Sequence, residues 1–360
     1  MKKIVVKIGS SVIAPKGKLD TKLVAALIKD IIAVEKTGAR VILVSSGAIA
    51  CGLNKLGYKR KPKDTHSLMA ISSIGQTILM DTFNDNLRKY KRSCGQILLS
   101  WDDFDIRHRY VNICQTIDKL LDIKAVPIIN ENDAVSSEEI KFGDNDWIAA
   151  RVADLVGASE LIILSDVDGL YDGDKLVKKV EHIDSSIKAL VRREDKTHTH
   201  GGMETKLEAA TSACHSGIKT RIVNGRAKNV LTKIIKGEDV GTLFACSKEK
   251  AKARKRWIFS KQIKGTITID DGAKEALLNK GKSLLGVGIV KVSVDFKRGD
   301  AVAIVSCSGQ VLGCGLVNYD SKDIKPKKRL EKEVVHRNNF IKSAQGLCYT
   351  PYRYSKKGAK

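Results

Sequence analysis

Cysteines at paired spacings are missing from this sequence. Its eight cysteines, at 51, 94, 114, 214, 246, 307, 314 and 348, include no C-x-x-C and no framework spacing. A disulfide scaffold or a cysteine-rich zinc module is therefore not expected, and the thiols read as reduced and mostly buried, as in a cytoplasmic protein. A secretory leader is not expected either, because in MKKIVVKIGSS Lys7 breaks the apolar run that begins at Ile4. The longest uncharged stretch, AVAIVSCSGQVLGCGLVNY (301–319), approaches the length of a membrane span. Ser306, Ser308, Gly309 and Gln310 interrupt it between alternating apolar runs, which predicts a hairpin and no membrane partner. No Ser-His-Asp arrangement is present, and His198-Thr199-His200 has no third residue with zinc-ligand spacing. The GKS at 281–283 lacks the upstream glycine of a phosphate-binding loop. The glycine pairs at 286/288 and 313/315 lack the third glycine of a dinucleotide fingerprint, and they read as turn glycines.

Acidic residues are also short, 41 against 64 basic, for a net charge of +23. The last 110 residues hold 24 basic against 9 acidic, so most of the excess lies in less than a third of the chain. Such asymmetry suits a polyanion, and RNA is a candidate partner. A lysine-solvated surface would look the same. Few aromatics are interleaved with these basic residues, whereas single-strand binders usually offer stacking platforms.

With 42% apolar and 29% charged residues over 360 positions, the chain is an ordinary folded protein of about two domains. Over residues 1–245, β-branched runs at 3–8, 40–45, 95–99, 125–130, 161–166 and 220–225 alternate with amphipathic stretches at 21–36, 67–87, 111–121, 145–156 and 202–216. This predicts an α/β fold, a mainly parallel sheet covered by helices on both faces, with ligands beyond the carboxyl ends of the strands. The charged stretch 246–258 is expected to be a linker. Short strands at 265–270, 290–294, 302–306 and 311–317, with a helix near 272–278, predict a small, mostly β domain over 259–350. The chain from about Asp320 is expected to fray, and 351–360 forms a basic tail.

Five motifs carry chemistry. Lys7 alternates into an apolar strand just before Gly9-Ser10-Ser11, and a buried lysine is costly unless it meets an anion. The alternative is a strand-end lysine reaching water. VSSGAIACG (44–52) places Ser45, Ser46 and Gly47 at the start of a helix, as an anion site or an ordinary cap would. INENDAV (129–135) and FGDND (142–146) bring Asn130, Asp133, Asn145 and Asp146 to strand ends, more carboxylates and amides than turns require. LIILSDVDGLY (161–171) ends a strand in Ser165-Asp166. HGGMETKLEAA (200–210) opens a helix with Gly201 and Gly202 and sets Lys206 one turn inside, a plausible phosphate cradle. Two lysines, glycine turns and acid–amide clusters imply phosphoryl transfer, which needs positioning and charge neutralisation.

In this order and spacing, VVKIGSSVI, VSSGAIACG, INENDAV, GDND, SDVDGLY and GGMETKLEAA resemble the glutamate 5-kinases of the amino acid kinase family. The stretch from RKRWIF (254–259) onward is similar to the PUA domain joined to many bacterial members. The resemblance implies an amino acid kinase fold, an ATP- and Mg²⁺-dependent transfer to L-glutamate at the first step of proline synthesis, and feedback inhibition by proline. It also implies a homo-dimer or homo-tetramer. It assigns catalysis to Lys7, Lys206 and Asp146, and glutamate binding to Ser46, Gly47, Asp133 and Asn145. ATP falls to Lys7, Gly9, Ser165, Asp166, Gly201, Gly202, Met203 and Lys206. The chain departs from the family at Thr199-His200, usually a glycine–threonine pair, and at Trp147, usually small or polar.

Overall fold

The computed structural model describes residues 2–135, 145–194, 202–245, 258, 261, 263–293 and 295–342. The chain divides into two compact units, Met1–Lys250 and Ala251–Lys360.

The first unit is built on an eight-stranded sheet in the order β3-β4-β2-β1-β5-β9-β10-β8. Its central strands are β1 (Lys3–Ile8), β2 (Arg40–Val44), β3 (Cys94–Leu99), β4 (Val126–Glu131), β5 (Glu160–Ser165) and β9 (Lys219–Asn224), all mutually parallel. Near-continuous apolar sequence suits strands buried on both faces. Val5, Ile42, Val44, Ile129 and Ile163 join one core, shared with helices α6 (Arg107–Asp122), α7 (Asn145–Val156) and α9 (Met203–His215). Ile4, Val6, Ile8, Leu43, Ile128 and Ile162 join the other, shared with α2 (Thr21–Glu35), α4 (Thr65–Arg88) and α10 (Val230–Ile235). From β1 the chain winds outward through β2, then returns to the other edge of β1 as β5. That reversal places a crevice beyond the ends of β1, β2 and β5, where ligands of open α/β sheets bind.

The edge beyond β9 escaped the sequence reading. β8 (Lys179–Val180) and β10 (Thr242–Phe244) are too short for a periodic signal, and β10 runs antiparallel to β9. The buried Thr242 side chain explains their placement, since its hydroxyl accepts the Leu170 N–H at 2.8 Å.

The second unit carries a five-stranded sheet in the order β12-β11-β13-β14-β15. Its strands are β11 (Ile263–Ile269), β12 (Ile289–Ser293), β13 (Ala301–Ser306), β14 (Val311–Leu316) and β15 (Phe340–Lys342). The uncharged stretch forms the expected hairpin: β13 and β14 pair antiparallel, and the Ser306 N–H donates to Gln310 O at 2.9 Å. Among the described residues no helix is long and apolar enough to cross a membrane. Three expectations are corrected here. Gly313 and Gly315 lie in β14 rather than in turns, and a Cβ on Gly313 would stand 2.1 Å from the Ile341 carbonyl of β15. Nor does the chain fray at Asp320, because Ile324, Val334 and Val335 are buried in this unit's core. Cysteines 51, 94, 114, 307 and 314 carry no disulfide, but Cys214 is disulfide-bonded and Cys307 is exposed, which corrects the reading of reduced, mostly buried thiols at these two positions. The linker other than Ile258 and the tail lie outside the described residues.

Candidate active site

Side chains alternate along a strand, so Lys7 shares the face of Val5 and points toward the layer of α7 and α9. It is buried at 5% exposure, where an ammonium requires a partner. The partner is Asp146 in the first turn of α7, with Lys7 Nζ 2.5 Å from Asp146 Oδ1. A carboxylate there also suits the positive end of the helix dipole. The other carboxylate oxygen faces α9, where Lys206 Nζ lies 3.5 Å away and the Thr205 hydroxyl donates at 2.9 Å. One carboxylate thus holds two ammonium groups that come from different elements.

Burial would raise the Asp146 pKa, but the charges of Lys7 and Lys206 and the hydrogen bonds from Lys7 and Thr205 outweigh it and hold the carboxyl below its ordinary range. Lys206 moves down from its ordinary value because burial and the nearby Lys7 charge exceed the help of Asp146 and Asp166. Among the described residues, two ammonium groups share this one buried carboxylate in a poorly hydrated place. A polyanionic group such as a transferring phosphoryl would interact favourably with both.

A second polar cluster sits where β2 and β4 end. The Ser45 N–H donates to Ile129 O at 2.8 Å, tying the two strand ends together. Ser46 and Gly47 follow, and Gly47 has φ 97°, the left-handed region open to glycine. A Cβ there would lie 2.9 Å from Ile13. Helix α3 (Ala48–Lys55) then crosses α4 backbone to backbone. A Cβ on Gly75 would stand 1.8 Å from Ala48 O, and one on Gly52 would stand 2.0 Å from Ile71 O. This crossing brings the polar residues of α4 to the strand ends: Ser72 donates to Asp133 Oδ2, and Gln76 Oε1 accepts from Asn130 Nδ2 at 2.8 Å. From α7, Asn145 Nδ2 donates to Ser46 Oγ at 3.1 Å. Burial pushes the Asp133 pKa up, against the opposing pull of the Ser72 hydroxyl and the Lys61 charge.

A third group lies beyond β5. Ser165 is buried and donates to Asp166 Oδ1 at 3.2 Å, while Asp166 itself is exposed. The Gly9 N–H donates to Leu164 O at 3.1 Å, fastening the turn after β1 to this strand. Gly202 precedes α9, its carbonyl accepting from Thr205 at 3.0 Å and from Lys206 at 3.4 Å, and Met203 is the helix's first residue.

Direct contacts therefore join Lys7, Asp146 and Lys206, and separately join Ser46 and Asn145. Asp133 meets Ser72, with no hydrogen bond to Ser46 or Asn145 among the described residues. Gly201, Thr199-His200 and residues 136–144 of the acid–amide loops lie outside the described residues. Sequence reasoning missed Thr205, Ser72 and Gln76. The only available signal for the last two was a pair of polar residues four apart beside Gly75. Trp147 stacks on Trp101 with centroids 3.5 Å apart, and the Arg151 guanidinium lies 4.5 Å from its ring centre. That stack accounts for a large aromatic at this position.

The sequence pattern of the amino acid kinase family matches residues 2–224, and that of the PUA domain matches residues 265–337. The chain belongs to the amino acid kinase family. It is 39% identical over 363 residues to the glutamate 5-kinase of Teredinibacter turnerae, covering 95% of this chain and 97% of that one. The glutamate 5-kinase of Dictyoglomus thermophilum is 40% identical over 363 residues, covering 94% and 97%. That of Thermoanaerobacter pseudethanolicus is 39% identical over 361 residues, with the same coverage of 94% and 97%. Membership fixes the fold of the first unit as the amino acid kinase fold and its activity as that of a kinase.

Proposed function

We propose that this protein is an ATP-dependent glutamate 5-kinase, forming L-glutamyl 5-phosphate and ADP in proline synthesis. The observation that carries the reading is the Lys7–Asp146–Lys206 bridge at the strand ends, in a chain close to full-length glutamate 5-kinases. Glutamate's γ-carboxylate is already ionised at neutral pH, so the acceptor needs no general base. One of its oxygens forms a bond to the γ-phosphorus as the bond from that phosphorus to the β–γ bridging oxygen breaks, and ADP leaves with the electron pair. The protein's part is to hold both groups in line and to absorb charge.

Lys7 and Lys206 take the charge of the transferring phosphoryl group, and Asp146 fixes their positions. Ser46, Gly47, Asp133 and Asn145 hold glutamate. Asp133 faces its ammonium, and the backbone at Gly47 approaches without a side chain in the way. Gly9, Ser165, Asp166 and Gly201–Met203 hold the nucleotide with the two lysines. Magnesium is assigned to the phosphates of ATP as part of the substrate, since Asp146 is already committed to two ammonium groups. Proline shares the α-carboxylate and ammonium of glutamate but has no γ-carboxylate, so it is assigned to the same site as a competing end product. Catalysis is assigned to residues 1–245.

A hydroxylamine trap tests the reading, because an acyl phosphate converts to a hydroxamate. Formation of γ-glutamyl hydroxamate that requires both ATP and L-glutamate is the expected result. ATP consumption without hydroxamate would exclude a carboxyl acceptor.

A further inference from the structure

Two buried polar atoms near the ends of β2 and β4 have no hydrogen-bond partner among the described residues: Gln76 Nε2 and Asn145 Oδ1. The orientation of the Gln76 amide follows from the bonds of its neighbour. The Glu131 N–H donates to Asn130 Oδ1 at 2.9 Å, which turns Asn130 Nδ2 toward Gln76 Oε1 at 2.8 Å and leaves Gln76 Nε2 over. Asn145 Nδ2 is used by Ser46 Oγ at 3.1 Å, which leaves Asn145 Oδ1 over. Both are tied to the same corner of the sheet. Asn130 follows Ile129, which pairs with Val44, and Ser46 lies two residues beyond Val44. Buried amide groups in folded proteins are almost always satisfied, so one unpaired donor and one unpaired acceptor at one corner need explanation. An apolar ligand would satisfy neither, and a simple anion would satisfy only the donor. A zwitterion satisfies both.

We propose that Gln76 is a substrate-contacting residue: its Nε2 donates to the α-carboxylate of the amino acid acceptor, while Asn145 Oδ1 accepts from the ammonium. The proposal rests on the reading of the protein as a glutamate kinase and adds a specificity element to that site. Gln76 is held for this task from two sides. Asn130 fixes its amide plane, and the glycine crossing of α3 and α4 brings the helix close enough to reach the strand ends. It selects for a free α-carboxylate, and against acceptors that lack one.

The decisive variant is Gln76→Glu. It is nearly isosteric, its oxygen still accepts from Asn130, and the donor is replaced by an anionic acceptor. Wild type and variant are assayed with L-glutamate and with its α-amide, whose carboxamide N–H can donate to the new carboxylate. The expected result is a loss in kcat/KM for glutamate of roughly 10- to 100-fold, carried by KM for glutamate at unchanged KM for ATP. The α-amide should lose less or gain, so that the preference between the two acceptors shifts toward it. Equal losses for both acceptors, or a matching rise in KM for ATP, would make Gln76 a structural residue and overturn the proposal. Should the buried charge prevent folding, Gln76→Met removes the donor without adding charge. Its KM for glutamate should then rise about 10-fold, and an unchanged value would overturn the assignment. A wild-type protein that phosphorylates neither acceptor would instead overturn the glutamate kinase reading, and the Gln76 assignment with it.

Discussion

Asp146 is the residue that ties β1 to α7 and α9. Removing its charge would take from the buried Lys7 and Lys206 the carboxylate they share, and breaking a buried ion pair by removing one partner costs about 3–5 kcal/mol. Asp146→Asn is therefore expected to lose stability in that range, read from the midpoint of urea unfolding. Lys7→Ala and Lys206→Ala should each lower kcat about 10²- to 10³-fold, the loss expected for one charge-stabilising donor. If both retained wild-type turnover, the assigned roles would be wrong. Asp133 gives the pH dependence. Its folded pKa is raised by burial, so it protonates as pH falls while ordinary aspartates are still ionised. In the proposed assignment glutamate's ammonium then loses its partner, so kcat/KM for glutamate should fall on the acid side above the ordinary aspartate range. The Ser72 hydroxyl favours the ionised form, so Ser72→Ala should move that acid limb to higher pH. An unmoved limb would mean that another group controls it.

At the scale of elements, the site depends on how closely α3 and α4 cross. With no room for a Cβ at Gly75, Gly75→Ala must push the helices apart, at a cost of about 1–3 kcal/mol for overpacking. The same shift moves Ser72 and Gln76 away from the strand ends, so KM for glutamate should rise along with the loss of stability. A variant that lost stability but kept its KM would detach the crossing from the site. The central strands were legible because β-branched apolar runs ending in polar residues have few other uses, and Lys7 stood out by breaking such a run. The meeting of Lys7 with Asp146 and Lys206 was not legible. Those residues are separated by the winding of the chain on both sides of β1, and periodicity says nothing about which strand ends become neighbours. Gln76 stayed hidden for a different reason: in a half-buried helix, a polar residue every turn is ordinary. β8 and β10 carry too few residues to show alternation at all.

At the scale of the molecule, each unit has cores of its own, with Val5, Ile163 and Leu207 in the first and Ile267, Ile304 and Phe340 in the second. A chain ending near Ala245 is accordingly expected to fold and to keep glutamate phosphorylation, as checked by circular dichroism and the hydroxamate assay. Loss of turnover in a folded fragment would place part of the catalytic apparatus beyond residue 245. The basic surplus of the last 110 residues is not used by the proposed chemistry. The account is tested most directly by one assay of ATP-dependent turnover across L-glutamate, L-aspartate, N-acetyl-L-glutamate and UMP. Glutamate should be phosphorylated best, because in the proposed assignment its ammonium meets Asp133 and Asn145 and its γ-carboxylate reaches the phosphoryl group held by Lys7 and Lys206. Acetylation should abolish turnover by removing that ammonium. Better turnover of N-acetyl-L-glutamate or UMP than of glutamate would contradict the account.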